Sequence, residues 1–389
     1  MKILIGTLSY KPNVSGVAVE VELLTQFLLK KGHQVVIVAP SRSLRSHIEH
    51  QDGLTIYRVR AIPSPIRRGF YLPIFTGRLT ERILQEVQPD IVHVHDPMAM
   101  SRYLQQSATK HGVPTVASNH FTLDYIGAYL PGILRPIVLG WLRRMYVGFY
   151  NRCQAVTAPS VTVVNYLRSL GVRDPIEALS NGVDIDRFSA HTSTEQTRRS
   201  YGLPQQPIIL YLGRMEKAKS INVLIDAFAR VHRTVDCHLL LVGGGDNLQD
   251  LAAQIAKYGL SKSATLTGLI PYNSVDLAPL YQVADIYVMP SSIETQSITT
   301  LEALAAGRPV VAANGGALPE LIKNGVNGIL FRAGSSADLA DRILTLLHDS
   351  TLRSRLSGAA VKTAAKHELQ KSLQLFEDLY ETTIRRVSH

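Results

Sequence analysis

Residues 286–313 read IYVMPSSIETQSITTLEALAAGRPVVAA and hold the elements of one strand–helix–strand unit. The apolar runs at 286–289 and 309–313 predict two buried strands, and the apolar residues at 299–306, followed by Gly307, predict a helix between them. A strand, a crossover helix and a second strand are the repeating unit of a parallel sheet. This stretch therefore predicts an α/β fold.

The same alternation of strand and helix runs through both halves of the chain. The other strands are predicted at 2–8, 34–38, 54–59, 90–94, 114–117, 208–212, 238–242 and 264–266. The other helices are predicted at 17–31, 78–87, 102–111, 221–231, 248–258, 275–282, 319–323 and 337–348, with helical residues continuing to the C-terminus. Strands rich in Val, Ile and Leu between helices are typical of parallel sheets covered on both faces.

About ten strands are more than one doubly wound sheet holds comfortably, and the alternation is interrupted at 121–206. We therefore expect two Rossmann-like domains facing across a cleft, with ligands bound beyond the carboxyl ends of the strands. A polar stretch with two prolines marks the linker. The predicted organisation is an N-terminal domain at 1–190, a C-terminal domain at 191–365, and a C-terminal helix at 366–389 that packs back on the N-terminal domain.

Composition excludes several classes of protein. The chain has 389 residues, of which 46% are hydrophobic, so a folded core is expected. Two cysteines exclude a disulfide scaffold and favour a reducing compartment. No run of about 18 apolar residues predicts a membrane span, and the first ten residues predict a strand rather than a secretory signal. His93 and His95 are interpreted as structural, because the chain shows no metal-type spacing of Cys and His.

The positive charge is concentrated in the first half. The chain has 41 Lys and Arg against 31 Asp and Glu, and residues 1–200 hold 23 against 14 of these. The first half therefore carries +9 and the second +1. Basic surface attracts nucleic acid, anionic membrane or phosphorylated ligands. The chain shows no nucleic-acid reader motif, so a nucleic-acid partner is not expected.

The loop and helix at 290–309 carry the densest signal for a ligand site. The backbone amides at the helix start favour an anion such as a diphosphate. Glu294 lies in the loop before the helix, and Glu302 lies about one turn inside it. Carboxylates accept hydrogen bonds from vicinal diols, so a ribose or a hexose is a suitable ligand. Two Glu residues eight apart are common, and only the surrounding pattern makes this pair informative.

Three other loops follow predicted strands. In YLGRMEKAKS at 211–220, Arg214 and Lys219 could bind phosphate, Arg in a bidentate way and Lys as a point charge. In PNVSGVA at 12–18, Gly16 lets a ligand approach the start of a helix. The glycines around Gly244 suit either a nucleotide or a plain turn. His120 follows a strand, where it could bind a sugar hydroxyl or be a structural histidine.

Taken in order, these motifs resemble the retaining glycosyltransferases of the GT-B type, family 4. The matching segments are PNVSG, NHFT, APS at 158–160, NGVD at 181–184, GRMEKAK, LVGGG, the two Glu residues separated by seven others, and EALAAGRPVVA. They span essentially the whole chain. The paired Glu residues with the GRPVVA tail are the specific part of the pattern.

The resemblance implies a nucleotide-sugar donor, with UDP-glucose favoured, held mainly by the C-terminal domain. The implied catalytic residues are Glu294, which holds the transferred hexose, and His120, which contacts the sugar near the anomeric centre. The implied donor-binding residues, whose partners are the diphosphate, the ribose and the hexose, are Gly16, Arg214, Lys219, Gly244, Ser297, Ile298 and Glu302. The family works without a metal or other cofactor, so basic side chains and amides stabilise the leaving diphosphate.

Two positions depart from the family pattern. Ser297 stands where a glycine usually follows the first Glu by three residues, and Ser220 stands where a glycine usually follows the motif lysine. We expect tighter loops around the donor at both places.

The acceptor is indicated by a narrower resemblance and by a predicted helix. Glu294-Thr295-Gln296 resembles the corresponding segment of bacterial diacylglycerol glucosyltransferases. The helix within 131–152 carries apolar side chains on one face and Arg residues mostly off it; the apolar residues are Ile137, Val138, Trp141, Met145 and Phe149, and the basic ones Arg135, Arg143 and Arg144. This combination suits a membrane interface. The alternative is a helix packed inside its own domain.

A second, weaker basic and aromatic loop contains Arg67, Arg68, Phe70 and Tyr71. Together with the basic first half, it predicts a cytoplasmic enzyme that binds peripherally to the anionic inner face of the cell membrane and glycosylates a membrane lipid such as diacylglycerol. The alternatives are a mannosyltransferase acting on phosphatidylinositol, a glycosyltransferase with a soluble acceptor, and a non-catalytic protein that binds sugar nucleotides.

Overall fold

The chain forms two compact units. The computed structural model describes residues 1–13, 15–51, 53–64, 69–127, 132, 135–173, 175–190 and 193–387. Unit 1 consists of Met1–Ser180 and Ser372–His389, and unit 2 consists of Asn181–Lys371. The chain thus passes from one unit to the other at Ser180, where the sequence suggested 190, and returns at Ser372, where the sequence suggested 366.

The described residues form the following elements. The strands are β1 (Lys2–Gly6), β2 (Gln34–Pro40), β3 (His47–Gln51), β4 (Leu54–Val59), β5 (Ala61–Pro63), β6 (Tyr71–Pro73), β7 (Ile91–Val94), β8 (Thr115–Ser118), β9 (Ala155–Ala158), β10 (Ile176–Ala178), β11 (Ile208–Leu212), β12 (His238–Val242), β13 (Ala264–Gly268), β14 (Ile286–Met289), β15 (Val310–Ala313) and β16 (Gly328–Phe331). The helices are α1 (Gly16–Lys30), α2 (Gly77–Val87), α3 (Ala99–Lys110), α4 (Leu123–Gly127), α5 (Arg135–Tyr150), α6 (Val161–Leu170), α7 (Ile185–Ser189), α8 (Thr194–Tyr201), α9 (Ile221–Val231), α10 (Leu248–Lys257), α11 (Leu277–Gln282), α12 (Ile298–Ala305), α13 (Leu318–Leu321), α14 (Ser336–His348), α15 (Ser350–Ala364) and α16 (Leu369–Val387).

Unit 1 is built on an eight-stranded sheet with the order β10-β9-β8-β7-β1-β2-β4-β3. Its neighbouring strands are parallel except for β3, which is antiparallel to β4. The strand β1 lies between β2 and β7, so the order of strands reverses there. The short strands β5 and β6 form a separate antiparallel pair. Ligands of such sheets bind outside the carboxyl ends at the reversal point, which here means the loops after β1 and β7.

Unit 2 is built on a parallel six-stranded sheet with the order β13-β12-β11-β14-β15-β16. The strand β11 pairs with β12 on one side and with β14 on the other, which makes it the reversal point of this sheet. The loops after β11 and β14 therefore emerge side by side at the carboxyl edge. These loops are 213–220 and 290–297, and they carry Arg214, Lys219, Glu294 and Ser297 of the predicted site.

Each unit has its own apolar core. In unit 2 all five residues of β11 and of β12 are buried, and α9 buries Leu224, Ile225 and Phe228 against the sheet. In unit 1 the helix α5 contributes Phe149 and Tyr150. Burying one such side chain contributes about 1.5–3 kcal/mol. None of the described helices is both long enough and apolar enough to cross a bilayer.

The sequence missed the shortest strands and misread one region. It predicted a helix within 131–152 but otherwise treated 121–206 as an interruption, whereas β9 and β10 continue the sheet of unit 1 there. The strands β9 (AVTA) and β10 (IEA) contain only one Val or Ile each, so no apolar run marks them. The strand β3 (HIEHQ) lacks an apolar run as well, and β16 and the β5–β6 pair were also missed.

The glycines after β12 are required by close backbone packing. Gly243 and Gly245 have φ of 139° and 155°. A Cβ atom at Gly243 would overlap the carbonyl oxygen of Gly213, and one at Gly245 would overlap that of Met215. The amide of Met215 also donates to the carbonyl of Gly244 at 2.9 Å. Glycine here lets the loops after β11 and β12 lie against each other.

We predict that Gly243→Ala destabilises the protein by about 2 kcal/mol or more, because the added methyl group meets backbone that cannot move aside. Urea unfolding followed by circular dichroism measures the loss. The matched control is Gly244→Ala, where the added Cβ would make an ordinary 3.4 Å contact with Leu269. Equal unfolding midpoints for the two variants would contradict the packing argument.

Candidate functional site

The loop between β11 and α9 presents two cations, and each lies against a carboxylate. Arg214 Nη2 donates to Glu216 Oε2 at 2.8 Å, and Lys219 Nζ donates to Glu294 Oε1 at 2.6 Å. The side chains of Arg214 and Lys219 are 23% and 20% exposed. Both cations are thus held at the carboxyl edge of unit 2 with part of their surface open to a ligand.

The loop between β14 and α12 is fixed by backbone contacts. The carbonyl of Glu294 accepts from the amide of Ala317 at 2.8 Å. A Cβ on Gly316 would lie 2.6 Å from that same carbonyl oxygen, so only glycine fits beside it. The amide of Asn181 donates to Gln296 Oε1 at 2.9 Å. Glu294 is itself buried, so its carboxylate has a defined position next to Lys219.

Glu302 is the most deeply buried carboxyl group of this edge. It lies on α12, is 2% exposed, and accepts a 2.5 Å hydrogen bond from the hydroxyl of Tyr281. Burial raises the pKa of Glu302 to about 7, while the Tyr281 hydroxyl and the charge of Arg187 oppose the rise. The carboxyl group therefore titrates near neutral pH.

The two serines that replace glycine both have left-handed backbone conformations. Ser220 has φ 53° and precedes α9, and Ser297 has φ 74° and precedes α12. Glycine adopts this region without strain, which explains why it is usual at these positions. At Ser297 the hydroxyl oxygen caps α12 by accepting from the amide of Thr300 at 3.3 Å, which offsets part of the strain.

The arrangement suits a ligand with both phosphate and hydroxyl groups. Arg214, Lys219 and the first amides of α12, at Ile298, are suited to anionic oxygens. The carboxyl groups of Glu294 and Glu302 are suited to hydroxyl groups. The carbonyl of Gly244 instead accepts from Met215, which is a structural contact.

A second group of predicted residues lies at the carboxyl edge of unit 1. Gly16 begins α1, and Ser15 caps that helix by accepting from the amide of Ala18 at 3.1 Å. His120 follows β8 by two residues. The side chain of His120 lies against Glu20 of α1, with 3.2 Å between Nδ1 and Oε2, and 2.9 Å separates its Nε2 from His95 Nδ1.

The residues Glu20, His95 and His120 form a buried polar cluster. Burial raises the pKa of Glu20 to about 8 and lowers that of His120 to about 4, and it holds the pKa of His95 well below its ordinary value. One potential ligand atom from each of the three lies within 4.8 Å of the others. This spacing is compatible with a metal site as well as with direct hydrogen bonding.

The neighbouring His93 has direct partners on both ring nitrogens. Its Nε2 lies 2.8 Å from Ser118 Oγ, and its Nδ1 lies 2.7 Å from the hydroxyl of Tyr380 on α16. His93 thus links β7 with β8 and with the C-terminal helix inside unit 1, which agrees with its interpretation as a structural residue.

The structure brings most of the predicted residues together in two groups. Unit 2 places Arg214, Lys219, Glu294, Ser297, Ile298 and Glu302 on the loops and helices after β11 and β14. Unit 1 places Gly16 and His120 at one sheet edge. The sequence reasoning missed Tyr281 and Glu20, and it interpreted His95 as a structural residue. A charged residue inside the apolar helix GVAVEVELL was the available signal for Glu20.

The predicted apolar face of α5 is divided by the fold. Phe149 is 1% exposed and belongs to the core of unit 1, and Val138 and Met145 are half-buried. Ile137 and Trp141, one turn apart, are 73% and 63% exposed. The two interpretations of this face therefore apply to different parts of it: Phe149 packs in the core of unit 1, whereas Ile137 and Trp141 are exposed.

Arg135, Arg143 and Arg144 of α5 are exposed, so basic groups lie beside Ile137 and Trp141. The second predicted loop is only partly described, because Arg67 and Arg68 lie outside the described residues. Its other two members, Phe70 and Tyr71, are half-buried. Unit 1 as a whole contains 22 Lys and Arg against 14 Asp and Glu, and unit 2 contains 19 against 17.

Two family models match the chain. Residues 14–187 match the model for Glycosyltransferase Family 4, and residues 193–363 match the model for Glycosyl transferases group 1. An uncharacterized glycosyltransferase of Methanocaldococcus jannaschii is 30% identical over 363 residues, which cover 89% of each chain. The alpha-monoglucosyldiacylglycerol synthase of Acholeplasma laidlawii is 24% identical over the whole of both chains. A GDP-mannose-dependent alpha-mannosyltransferase of Corynebacterium glutamicum is 26% identical over 92% of this chain and 84% of its own.

Solved structures show the same fold. Sucrose-phosphate synthase from Thermosynechococcus elongatus matches 99% of this chain and 100% of its own with a TM-score of 0.82 and 19% identity. Anabaena HepE in complex with UDP-glucose matches 98% of this chain and 100% of its own with a TM-score of 0.79 and 21% identity. The motifs, the two parallel-sheet units and these matches agree: the chain belongs to the family 4 glycosyltransferases and has the GT-B fold.

Proposed function

We propose that this glycosyltransferase is a retaining enzyme that moves a hexose, with glucose favoured, from a nucleotide-sugar to a membrane lipid such as diacylglycerol. The main support for a nucleotide-sugar donor is the arrangement of Lys219, Glu294 and Glu302. A cation and two buried carboxyl groups lie at the reversal point of the unit 2 sheet, where ligands of such sheets bind.

The donor occupies the loops after β11 and β14 in this proposal. Arg214 and Lys219 neutralise the diphosphate, and the carboxyl group of Glu302 accepts from the ribose hydroxyls. Glu294 accepts from hydroxyls of the transferred hexose, beside the amides of Ser297 and Ile298. As the glycosidic bond breaks, negative charge grows on the diphosphate, and fixed cations and amides stabilise it without a metal.

We propose that two residues of unit 1 also bind the donor: the Gly16 loop at the start of α1 would bind the phosphates, and His120 would contact the sugar near the anomeric centre. UDP-glucose is favoured as donor, because a protein of the same fold, HepE, binds it.

The lipid acceptor is supported by a relative and by the surface of α5. The Acholeplasma laidlawii relative is named for monoglucosyldiacylglycerol. Ile137 and Trp141 expose apolar surface beside Arg143 and Arg144, and this combination suits the headgroup region of an anionic bilayer. We place the enzyme peripherally on the inner face of the cell membrane.

A mannosyltransferase is the second candidate, and it is supported by the Corynebacterium glutamicum relative, which uses GDP-mannose. A non-catalytic sugar-nucleotide-binding protein is less well supported, because the paired cations and carboxyl groups of unit 2 are all present.

The donor and acceptor are tested with a panel of UDP-glucose, UDP-galactose and GDP-mannose against diacylglycerol, phosphatidylinositol and soluble sugars. We expect α-glucosyl transfer from UDP-glucose to diacylglycerol, and NMR of the product assigns the linkage. Glu294→Gln should lower kcat by at least about 100-fold, and Glu195→Gln on the exposed helix α8 is the control. If the enzyme transfers mannose from GDP-mannose in preference to glucose from UDP-glucose, the mannosyltransferase alternative replaces the proposal.

The affinity for UDP-glucose should weaken as pH falls below about 7. Ribose hydroxyls donate better to ionised Glu302 than to its protonated form, and burial places the pKa of this group at about 7. A bound donor stabilises the ionised form of Glu302 and so lowers its pKa. At pH values below the pKa of the free protein, the affinity for the donor therefore falls by up to about tenfold per pH unit. Calorimetry from pH 5.5 to 8.5 measures this, because the esterified phosphates of UDP-glucose do not titrate in the range.

Two variants separate Glu302 from other titrating groups. Glu302→Gln should remove the dependence, and Tyr281→Phe should shift its midpoint to higher pH, because the Tyr281 hydroxyl lowers the pKa of Glu302. A pH dependence that survives in Glu302→Gln would assign it to another group.

The membrane contact is tested by pelleting with vesicles. Removing one surface Arg costs about 1 kcal/mol, or about fivefold in binding, so Arg144→Ala should bind anionic vesicles less well. Trp141→Ala should reduce binding as well, by removing apolar area. Val275→Ala removes an exposed apolar side chain from unit 2 and is the control. Equal pelleting of wild-type protein with neutral and anionic vesicles at low salt would disprove the docking.

A further inference from the structure

A small pocket lies at the carboxyl ends of β1, β2 and β4 in unit 1. Its walls come from the loop after β1, the end of β2 and the residue that follows it by two, and the strands β4 and β6. The strands β1, β2 and β4 are parallel neighbours, so their carboxyl ends meet at this edge. The pocket holds about 270 Å³ of space including its open mouth, which suits one small polar group rather than a drug-sized ligand. None of Glu20, His95 and His120 lines it.

The described residues that line the pocket include three cations and no carboxylate. The cations are Lys11, Arg42 and Arg58. Lys11 lies 2.5 Å from Glu22 and Arg58 lies 3.0 Å from Glu49, but neither carboxylate forms part of the wall. Arg42 is exposed and makes no ion pair with any described residue. An anion in the pocket would therefore meet positive charge without a carboxylate beside it.

Arg58 is the buried cation of this pocket. Its side chain is 9% exposed, and its Nε and Nη2 atoms each lie 3.0 Å from Glu49 Oε2. A guanidinium group has five N–H donors in a planar fork, so these contacts leave donors for another acceptor. The same fork binds two oxygens of a phosphate at once. Arg58 is therefore suited to hold a phosphate inside the pocket.

Tyr10 supplies a second buried polar group. It is 6% exposed, and the Arg58 guanidinium lies over its ring with 5.8 Å between Cζ and the ring centre. The Tyr10 hydroxyl has no hydrogen-bond partner among the described residues, although buried hydroxyl groups are normally paired. Burial raises the pKa of Tyr10 to about 12. The hydroxyl therefore keeps its hydrogen and is available to donate to a phosphate oxygen.

Exposed apolar side chains lie beside the pocket. In the antiparallel pair of β5 and β6, Ile62 is opposite Leu72 and Pro63 is opposite Tyr71. Tyr71 lines the pocket, and successive side chains of a strand alternate between its two faces. Ile62 and Leu72 are 39% and 38% exposed, and Phe75, just beyond β6, is 81% exposed. A basic pocket next to exposed apolar side chains matches a lipid, in which an anionic headgroup is joined to hydrocarbon.

We propose that this pocket binds the phosphate of an anionic phospholipid. Arg58 and Tyr10 donate to the phosphate oxygens, and Lys11 and Arg42 add positive charge at the rim. The exposed side chains of the β5–β6 pair meet the acyl chains. The inference rests on the proposed attachment to an anionic membrane, and it assigns that attachment a specific lipid site in unit 1, separate from the exposed surface of α5.

The test is calorimetry of the full-length protein with soluble short-chain lipids below their micelle concentration. Dihexanoyl phosphatidylglycerol should bind saturably, with one lipid per chain. Dihexanoyl phosphatidylcholine should bind at least about tenfold more weakly, because its choline cation offsets the attraction of three basic side chains. Equal affinity for the two lipids, or phosphatidylglycerol binding that does not saturate at one per chain, would overturn the proposal.

Two variants assign the binding to the pocket. Tyr10→Phe removes only the hydroxyl and should weaken phosphatidylglycerol binding by roughly 2- to 10-fold. Arg58→Lys keeps the charge but removes the fork, and should weaken binding by about tenfold or more. Arg82→Ala removes an exposed cation of α2 that does not line the pocket, and it is the matched control. Wild-type affinity in both pocket variants, or an equal loss in Arg82→Ala, would overturn the proposal.

The unfolding midpoint in urea separates lost binding from lost stability. Because the Tyr10 hydroxyl has no partner among the described residues, Tyr10→Phe should leave the midpoint of the lipid-free protein unchanged. Weaker lipid binding by a variant of unchanged stability supports the pocket. A lowered midpoint would show that the hydroxyl serves the fold, and it would overturn the assignment of Tyr10 to the lipid.

Further measurements distinguish a lipid from other phosphates. Inorganic phosphate should bind at least about tenfold more weakly than phosphatidylglycerol, because it lacks the hydrocarbon. Leu72→Ser and Phe75→Asn should weaken binding of the lipid but not of phosphate; asparagine tolerates the left-handed backbone of Phe75, whose φ is 52°. Unchanged lipid affinity in both variants would assign the pocket to free phosphate. Displacement of the lipid by UDP would assign it to the donor, and either result would overturn the proposal.

The failure of this proposal is distinguishable from the failure of the proposed function. The calorimetry uses neither donor nor acceptor, so it tests the pocket even if the donor and acceptor panel contradicts the proposed function. Vesicle pelleting that depends on Trp141 but not on Arg58 or Tyr10 would retain the membrane contact of α5 and overturn the lipid pocket.

Discussion

The ion pair between Lys219 and Glu294 depends on one topological constraint, the pairing of β11 with β14. These strands are distant in sequence but adjacent in the sheet, and parallel strands present their carboxyl ends at the same edge. The 2.6 Å contact between Nζ and Oε1 follows from that adjacency. Glycines in the neighbouring loops also help to position this edge. Gly243 and Gly316 allow backbone segments to pack where a side chain would not fit.

In unit 1 the parallel sheet also brings loops together at its carboxyl edge, but these loops carry different side chains. The strand β1 lies between β2 and β7, and β8 follows β7 in the sheet. The loop before α1, the residues after β7 and those after β8 therefore meet at one edge. In unit 2 the edge carries Arg214 and Lys219 beside carboxyl groups. In unit 1 it carries two histidines, whose pKa values burial lowers, beside Glu20, whose pKa burial raises. One sheet architecture thus positions two different sets of polar side chains.

The sequence predicted the α/β class and the long buried strands well, because four or five consecutive apolar residues are a strong local signal. The bounds of β11, β12 and β14 agree residue for residue with the prediction. The residues proposed for the donor could be found from motifs that lie on single loops. The strands β9 (AVTA) and β10 (IEA) could not, because each contains only one Val or Ile and so shows no apolar run.

The cluster of Glu20, His95 and His120 could not be predicted from the sequence for a different reason. Its members are 25 and 75 residues or more apart, and only the order of β1, β7 and β8 brings them together. The face of α5 was predicted too broadly, since periodicity gives the apolar stripe but not which part of it the sheet covers. Burial of Phe149 and exposure of Trp141 depend on tertiary packing.

Three buried carboxyl groups, Glu294, Glu302 and Glu20, differ in the partner that lies beside each of them. Glu294 lies against the ammonium of Lys219, so an opposite charge compensates its burial. Glu302 accepts from the Tyr281 hydroxyl and lies near the charge of Arg187, and burial raises its pKa to about 7. Glu20 lies against a neutral imidazole, and its pKa rises further, to about 8. Burial raises the pKa values of Glu302 and Glu20 toward neutral pH or above it, so sensitivity to pH near neutrality is expected at these two carboxyl groups.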